Sequence, residues 1–180
     1  MAIEAALFAK MWNCLRLACA LGLTCLLASC AEQSAPLITA SKAARIQKVR
    51  TTAYTHSERG GRRNAVGTHL SSRRVKSAAS DWSRYPLGTR FRLAGTSEEY
   101  MIDDYGTALV GTNTIDLYKP SRLEMKRWGV RHVDIDILQW GSNEQSLKVL
   151  KPREKHRMVK RMIVALQKKA SARSSGRAPN

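Results

Sequence analysis

The chain has 180 residues and a formal net charge of +17 at pH 7, and 43% of its residues are hydrophobic. This length suits one domain of ordinary size with terminal segments. All four cysteines lie within the first 30 residues, so the rest of the chain has no cysteine for a disulfide or a zinc site. The domain must therefore be held together by its own apolar core.

The first 29 residues have the pattern of a targeting segment. Lys10 and Arg16 precede an apolar run over residues 17–27, which is too short to span a bilayer comfortably. The run ends in Leu27-Ala28-Ser29-Cys30, which resembles the lipobox of bacterial lipoprotein precursors. This resemblance implies that the segment is removed and that Cys30 is acylated. An uncleaved signal anchor and an ordinary secretory peptide are the alternatives.

A tether over residues 30–47 is followed by a predicted β domain over residues 48–142. Short β-prone or alternating segments are separated there by glycine, proline and asparagine turns. A capping box that begins at Ser121 and a stop at Gly129 predict one short helix. Six or so short strands with one helix predict a mainly β fold, a small closed barrel. The clearest strand candidates are residues 49–54, 89–93, 100–102, 114–118 and 133–137.

Residues 143–180 are predicted to form a basic amphipathic helix with a disordered end. The last 34 residues contain 11 basic side chains and one acid, Glu154. Three interpretations stay open: a solvated extension, a helix on anionic lipid headgroups, and a segment that binds acidic groups of the cell wall. We favour membrane or wall contact. Nucleic acid, the usual partner of such charge, is not expected for an exported lipoprotein. The apolar stripe of this helix consists of Val159, Met162, Ile163 and Leu166.

Three aspartates, Asp81, Asp104 and Asp116, lie beside apolar residues or glycine turns within residues 79–118. Carboxylates in such settings favour a cleft over a solvated face. In a strongly basic chain they are the best candidates for chemistry, although for Asp81 a structural role in a turn is equally favoured. The four histidines lack the spacing of metal ligands, so neither a metal site nor a cofactor is expected.

The segments around these aspartates resemble the 3D domain, a family named for three aspartates and built as a double-psi β-barrel. The resemblance covers roughly residues 48–140 and implies a six-stranded barrel of this type. Two departures are Thr107, where the family has glycine, and Val110, where it has lysine. The matching segments, in the family's order, are Thr52-Ala53-Tyr54-Thr55 with Gly67-Thr68, Ala79-Ser80-Asp81 with Pro86-Leu87-Gly88-Thr89, the run from Asp104 to Gly111, and Ile115-Asp116-Leu117-Tyr118.

The family also supplies the catalytic part of membrane-bound lytic murein transglycosylase A, so the resemblance implies action on peptidoglycan glycan strands. Asp116 aligns with the acid/base of that enzyme, which cuts the β-1,4 bond and forms a 1,6-anhydro product. Asp104 aligns with the second carboxylate of the cleft and Asp81 with a third that orders the site. Tyr54, Thr68 and Tyr105 are weaker candidates for substrate contacts.

These inferences predict a lipoprotein of the cell envelope that is anchored through Cys30 and, as a further contact, through the basic tail. Because Ala31, rather than aspartate, follows the cysteine, we expect the outer membrane, with the domain facing the periplasm. A lipoprotein that binds peptidoglycan or another polysaccharide without cutting it is the alternative, and Thr107 and Val110 keep it open.

Overall fold

Six strands close into one barrel in the computed structural model, which describes residues 44–58 and 60–174. Their order around the barrel is β1-β5-β2-β4-β3-β6. The pairs β1/β5 and β2/β4 are parallel, and the other four pairs are antiparallel. This closed mixed barrel confirms the predicted fold class, a small six-stranded β-barrel, and is consistent with the double-psi type. The strands are β1 (Ala44–Tyr54), β2 (Val75–Ser80), β3 (Arg90–Leu93), β4 (Glu99–Tyr105), β5 (Thr114–Tyr118) and β6 (Arg131–Gln139).

The barrel interior is filled from alternate strand positions, as side chains on a pleated strand require. β5, for example, contributes Ile115 and Leu117, while Asp116 between them points to the other face. β3 and β4 contribute aromatic rings that stack on each other, Phe91 and Tyr100, with centroids 5.6 Å apart. The alternation of residues 89–93 in the sequence therefore marks the core side of β3 correctly, because Phe91 and Leu93 are buried.

β2 is a strand that the sequence pattern did not predict. Its sequence, Val-Lys-Ser-Ala-Ala-Ser, is poor in the β-branched and aromatic residues that favour strands. Its last four side chains are nonetheless buried, because β2 lies between β4 and β5 on the closed sheet. Small side chains are accommodated at this crowded central position.

Three helices lie in the described part of the chain: α1 (Arg122–Trp128), α2 (Asn143–Leu150) and α3 (Arg157–Ser174). α1 is the predicted short helix: the Ser121 hydroxyl accepts a hydrogen bond from the Glu124 amide, and Gly129 ends the helix at φ 62°. α2 was not predicted as a separate helix. A 3₁₀ turn, Lys151–Arg153, connects α2 to α3. None of these helices is both long and apolar enough to cross a membrane.

α3 forms over residues predicted to be helical, and its apolar stripe belongs to the core. Val159, Met162, Ile163 and Leu166 are all buried, and they form one cluster with the barrel interior. The stripe is therefore covered by protein, while the basic side chains of the opposite face are exposed. The signal segment with Cys30, the tether up to residue 43 and the end of the tail after residue 174 lie outside the described residues.

Candidate functional site

Strand register brings Asp104 and Asp116 to the same level and the same face of the barrel sheet. β2 lies between β4 and β5, and its Ala79 is paired with Asp104 on one side and with Asp116 on the other. Paired residues on neighbouring strands point to the same face. With strands about 4.8 Å apart, the two aspartate Cα atoms are separated by roughly 10 Å. On β2 the residue between them is Ala79, so β2 itself contributes only a methyl group between the two aspartates.

A cleft of about 420 Å³ opens over this register. Four of the predicted site residues line it, and Thr107 lies among the other lining residues. A larger cleft of about 520 Å³ lies beside Trp140, but Glu144 is the only acid that lines it. We assign the candidate chemistry to the smaller cleft because it holds two converging carboxyl groups. The four predicted residues are Tyr54, Asp104, Tyr105 and Asp116.

Burial raises the pKa of Asp104 to about 6. The amides of Tyr105 and Ala65 and the charge of Arg153 oppose this rise, while the charge of Asp103 adds to it. The Tyr105 amide donates a hydrogen bond of 2.9 Å to Oδ1 of Asp104. Asp104 therefore changes its protonation close to neutral pH, which suits a group that handles a proton.

Burial also raises the pKa of Asp116, and a hydrogen bond from Thr52 counteracts the effect. The Thr52 hydroxyl donates to Oδ1 of Asp116 over 2.6 Å. In the sequence, the apolar residues Ile115 and Leu117 flank Asp116. On the strand those two side chains point into the barrel, away from the carboxyl group, so they do not surround it. The larger rise is on Asp104.

The Tyr54 hydroxyl is buried and has no hydrogen-bond partner among the described residues. Burial raises the pKa of Tyr54, and the charges of Asp104, Asp103 and Asp116, in that order, raise it further. The phenol thus lies among three carboxyl groups. An unpaired buried donor is costly, so this hydroxyl is available to a bound ligand or an ordered water.

Asp81 and Thr68 do not line the cleft. Both carboxylate oxygens of Asp81 accept hydrogen bonds from backbone amides, Oδ1 from Ser83 at 2.8 Å and Oδ2 from Gly111 at 2.7 Å. Asp81 therefore ties the turn after β2 to the loop before β5. Thr68 is exposed, and its hydroxyl accepts a hydrogen bond of 2.7 Å from the Asn64 side chain.

The comparison with protein families agrees with this geometry. Residues 76–139 match the family model of the 3D domain. The match covers 64 of the 180 residues, so the likeness to the 3D domain is shown over this segment. The match runs from β2 to the end of β6 and includes all three aspartates, and it is consistent with a function related to peptidoglycan. No curated protein matches the chain.

Two of the departures from the family pattern, Thr107 and Val110, have different consequences for the cleft. Thr107 begins a 3₁₀ turn and lines the cleft. Among the described residues, Lys48 alone combines a side chain with a positive φ, so Thr107 needs no left-handed backbone. Val110 is buried in the core, so the cleft has no cation at the position where the family has lysine.

Asp103 is a buried carboxyl group that sequence reasoning did not include in the site. It lies at a register shift between Ile102 and Asp104, and its Oδ2 accepts hydrogen bonds from Ser77 (2.6 Å) and Asn64 (2.8 Å). Its Oδ1 is buried without a partner in the described part of the chain. The charge of Asp103 raises the pKa of Asp104. In the sequence, the adjacent pair Asp103 and Asp104 at the end of a strand could have pointed to Asp103.

Within residues 44–58 and 60–174, no group of three His, Cys, Asp or Glu side chains could hold a metal ion. The chemistry that the cleft can supply is the transfer of a proton by a carboxyl group, with a second carboxylate near the reacting atoms.

Proposed function

We propose that this 3D domain cleaves the glycan strands of peptidoglycan as a lytic transglycosylase. One observation carries the proposal: Asp104 and Asp116 flank Ala79 at one register and open into one cleft, and burial raises the pKa of both. The family match supports a peptidoglycan substrate.

The proposed reaction breaks the β-1,4 bond between N-acetylmuramic acid and N-acetylglucosamine. A protonated carboxyl group donates its proton to the glycosidic oxygen, and the bond from that oxygen to C1 of the muramic acid breaks. The 6-hydroxyl of the same muramic acid then attacks C1 and returns its proton to the carboxylate. The product carries a 1,6-anhydro ring, no water is consumed, and the carboxyl group ends in its starting state.

We assign the acid/base role to Asp116 and the second carboxylate to Asp104. The resemblance to the family assigns these roles, and the hydrogen bond from Thr52 holds the Asp116 carboxylate in one orientation. A negative Asp104 would stabilise the positive charge that develops at C1. The higher pKa of Asp104 supports a second assignment, in which Asp104 carries the proton.

The test is digestion of purified peptidoglycan sacculi with the protein, with analysis of the soluble fragments by mass spectrometry. Products with 1,6-anhydro ends support the proposal, and fragments with ordinary reducing ends indicate a hydrolase instead. Asp116→Asn should lower the rate by about 10²–10⁴-fold. A comparable loss in Asp104→Asn alone, with Asp116→Asn active, would assign the proton to Asp104. Glu144→Gln, an exposed acid on α2, is the control.

A polysaccharide-binding module without catalysis is the second candidate. The observation that favours it is Val110, which is buried where the family has lysine. Such a module would sediment with insoluble peptidoglycan and would release no soluble fragments from it. The Asp116→Asn variant would bind the peptidoglycan as well as the wild type does. These three results together would replace the enzymatic proposal.

We also propose that the protein is a lipoprotein of the outer membrane, with the domain in the periplasm. The motif that ends in Cys30 supports this location. The basic face of α3 is exposed and could add contacts to anionic lipid or to the wall. Labelling with a radioactive fatty acid tests the anchor, because Cys30→Ser should abolish the label while Cys25→Ser retains it.

A further inference from the structure

Arg153 brings a cation to the back of the cleft from outside the matched domain. It lies in the 3₁₀ turn between α2 and α3, beyond Gln139, where the family match ends. Its Nη2 donates a hydrogen bond of 2.8 Å to the carbonyl oxygen of Ala65. Its guanidinium carbon lies 6.0 Å from the centre of the Tyr105 ring. Neither contact is implied by the family resemblance.

The two residues that Arg153 contacts are those whose amides stabilise the Asp104 carboxylate. The Tyr105 amide donates directly to Oδ1, and the Ala65 amide also favours the ionised form. Arg153 thus contacts the carbonyl oxygen of Ala65 and the ring of Tyr105, the two residues whose amides favour the ionised Asp104. Its Nη1 is buried and has no hydrogen-bond partner in the part of the chain that the structure describes. A buried, unpaired guanidinium nitrogen is unfavourable, unless the positive charge serves a neighbouring carboxylate.

We propose that Arg153 is a positioning residue of the cleft, through which the segment after the matched domain orients Asp104 and fixes its charge. Arg153 acts through Ala65 and Tyr105, and it does not line the cleft itself. The proposal extends the proposed function by adding a residue from outside the matched range, and it rests on that function only for its activity readout.

Several other charged or titratable side chains lie near Asp104 and affect its ionisation. Asp103 lies on the same strand and Tyr54 on β1, and the charge of Asp103 opposes ionisation of Asp104. Asp116, Glu58 and Arg63 line the same cleft. The charge of Arg153 favours the ionised form of Asp104. Losing it should therefore keep Asp104 protonated to higher pH.

The decisive experiment is a carbon-detected NMR titration of the Asp104 carboxyl group in the full-length chain. Arg153→Gln should raise the Asp104 midpoint by at least about half a pH unit. Arg153→Lys retains the charge and should restore most of this difference. Arg157→Gln removes an equal charge from the exposed first turn of α3 and should leave the midpoint unchanged. An unchanged midpoint in Arg153→Gln, or an equal change in Arg157→Gln, would overturn the proposal.

A second measurement needs no Arg153 variant, in case Arg153→Gln does not fold. The guanidinium nitrogen resonance of wild-type Arg153 should shift with pH at the midpoint of Asp104, and Asp104→Asn should remove that transition. A flat Arg153 signal would refute the coupling. Because neither titration requires glycan cleavage, failure here is distinct from failure of the proposed function. If glycan is released, the acidic limb of the rate profile, which reports the ionisation of Asp104 when Asp116 is the acid/base, should move upward in Arg153→Gln.

Discussion

The hydroxyl of Thr52 on β1 donates a hydrogen bond of 2.6 Å to the Asp116 carboxylate on β5. The two residues are register partners in the parallel β1/β5 pair, so the strand pairing itself brings donor and acceptor together. This bond favours the ionised form of Asp116 and opposes the rise in pKa that burial causes. Thr52 thus helps to determine the pKa of Asp116, to which we assign the acid/base role.

Removing this hydroxyl should raise the pKa of Asp116 further. In Thr52→Val the ionised carboxylate loses a donor, so its neutral form persists to higher pH, and the alkaline limb of the rate profile should move upward. Stability at pH 7 should fall by about 1–2 kcal/mol. Carbon-detected titration and urea unfolding measure the two effects. Thr52→Ser keeps the hydroxyl and should resemble wild type; a Val variant with an unshifted Asp116 would show that the bond does not act as described.

Ionisation of Asp104 should destabilise the fold. Because its pKa in the fold is raised to about 6, the stability that its neutral form contributes is fully present below the ordinary aspartate pKa of about 3.9 and is lost as pH rises through about 6. Asp104→Asn stays neutral throughout. At pH 8 the variant should therefore be more stable than wild type by about 2–3 kcal/mol, and near pH 3.5 the two should be alike. A urea-unfolding difference that is the same at both pH values would contradict this.

Asp81 should matter for stability more than for chemistry. Its carboxylate satisfies the amides of Ser83 and Gly111 at a buried site. Asp81→Ala leaves both donors without this partner and should lower the free energy of unfolding by about 2–4 kcal/mol. Urea unfolding measures the change, and Glu144→Ala, at an exposed position of α2, is the control. If Asp81→Ala unfolds at the wild-type urea concentration but has lost glycan cleavage, Asp81 belongs to the catalytic group instead.

Gly141 should tolerate no side chain. A Cβ there would lie 2.3 Å from the Leu87 carbonyl oxygen, 2.4 Å from that of Pro86 and 2.6 Å from the Thr89 amide nitrogen. These are backbone atoms of the turn before β3, so they cannot move aside as a flexible side chain would. Gly141→Ala should therefore lower the melting temperature strongly, with a loss of about 3 kcal/mol or more. Gly60→Ala meets nothing within 4 Å and should unfold like wild type.

Local sequence patterns were sufficient to predict many of the strands and helices. Alternation marked the core side of β6, the cap at Ser121 and the stop at Gly129 marked α1, and spacing of apolar residues marked the helix that became α3. β2 was not predicted, because its alanines and serines have low strand propensity. It is a strand only because β4 and β5 pair with it on both sides.

The sequence by itself determined which carboxyl groups were candidates, since the aspartates stand in motifs that can be read along the chain. Tertiary structure alone decided that Ala79 separates Asp104 from Asp116, that Asp81 faces backbone amides, and that Arg153 contacts Ala65 and Tyr105. The reason is physical. A pKa depends on burial and on charges within a few ångströms, and strand register and helix packing bring these together from positions far apart in the chain.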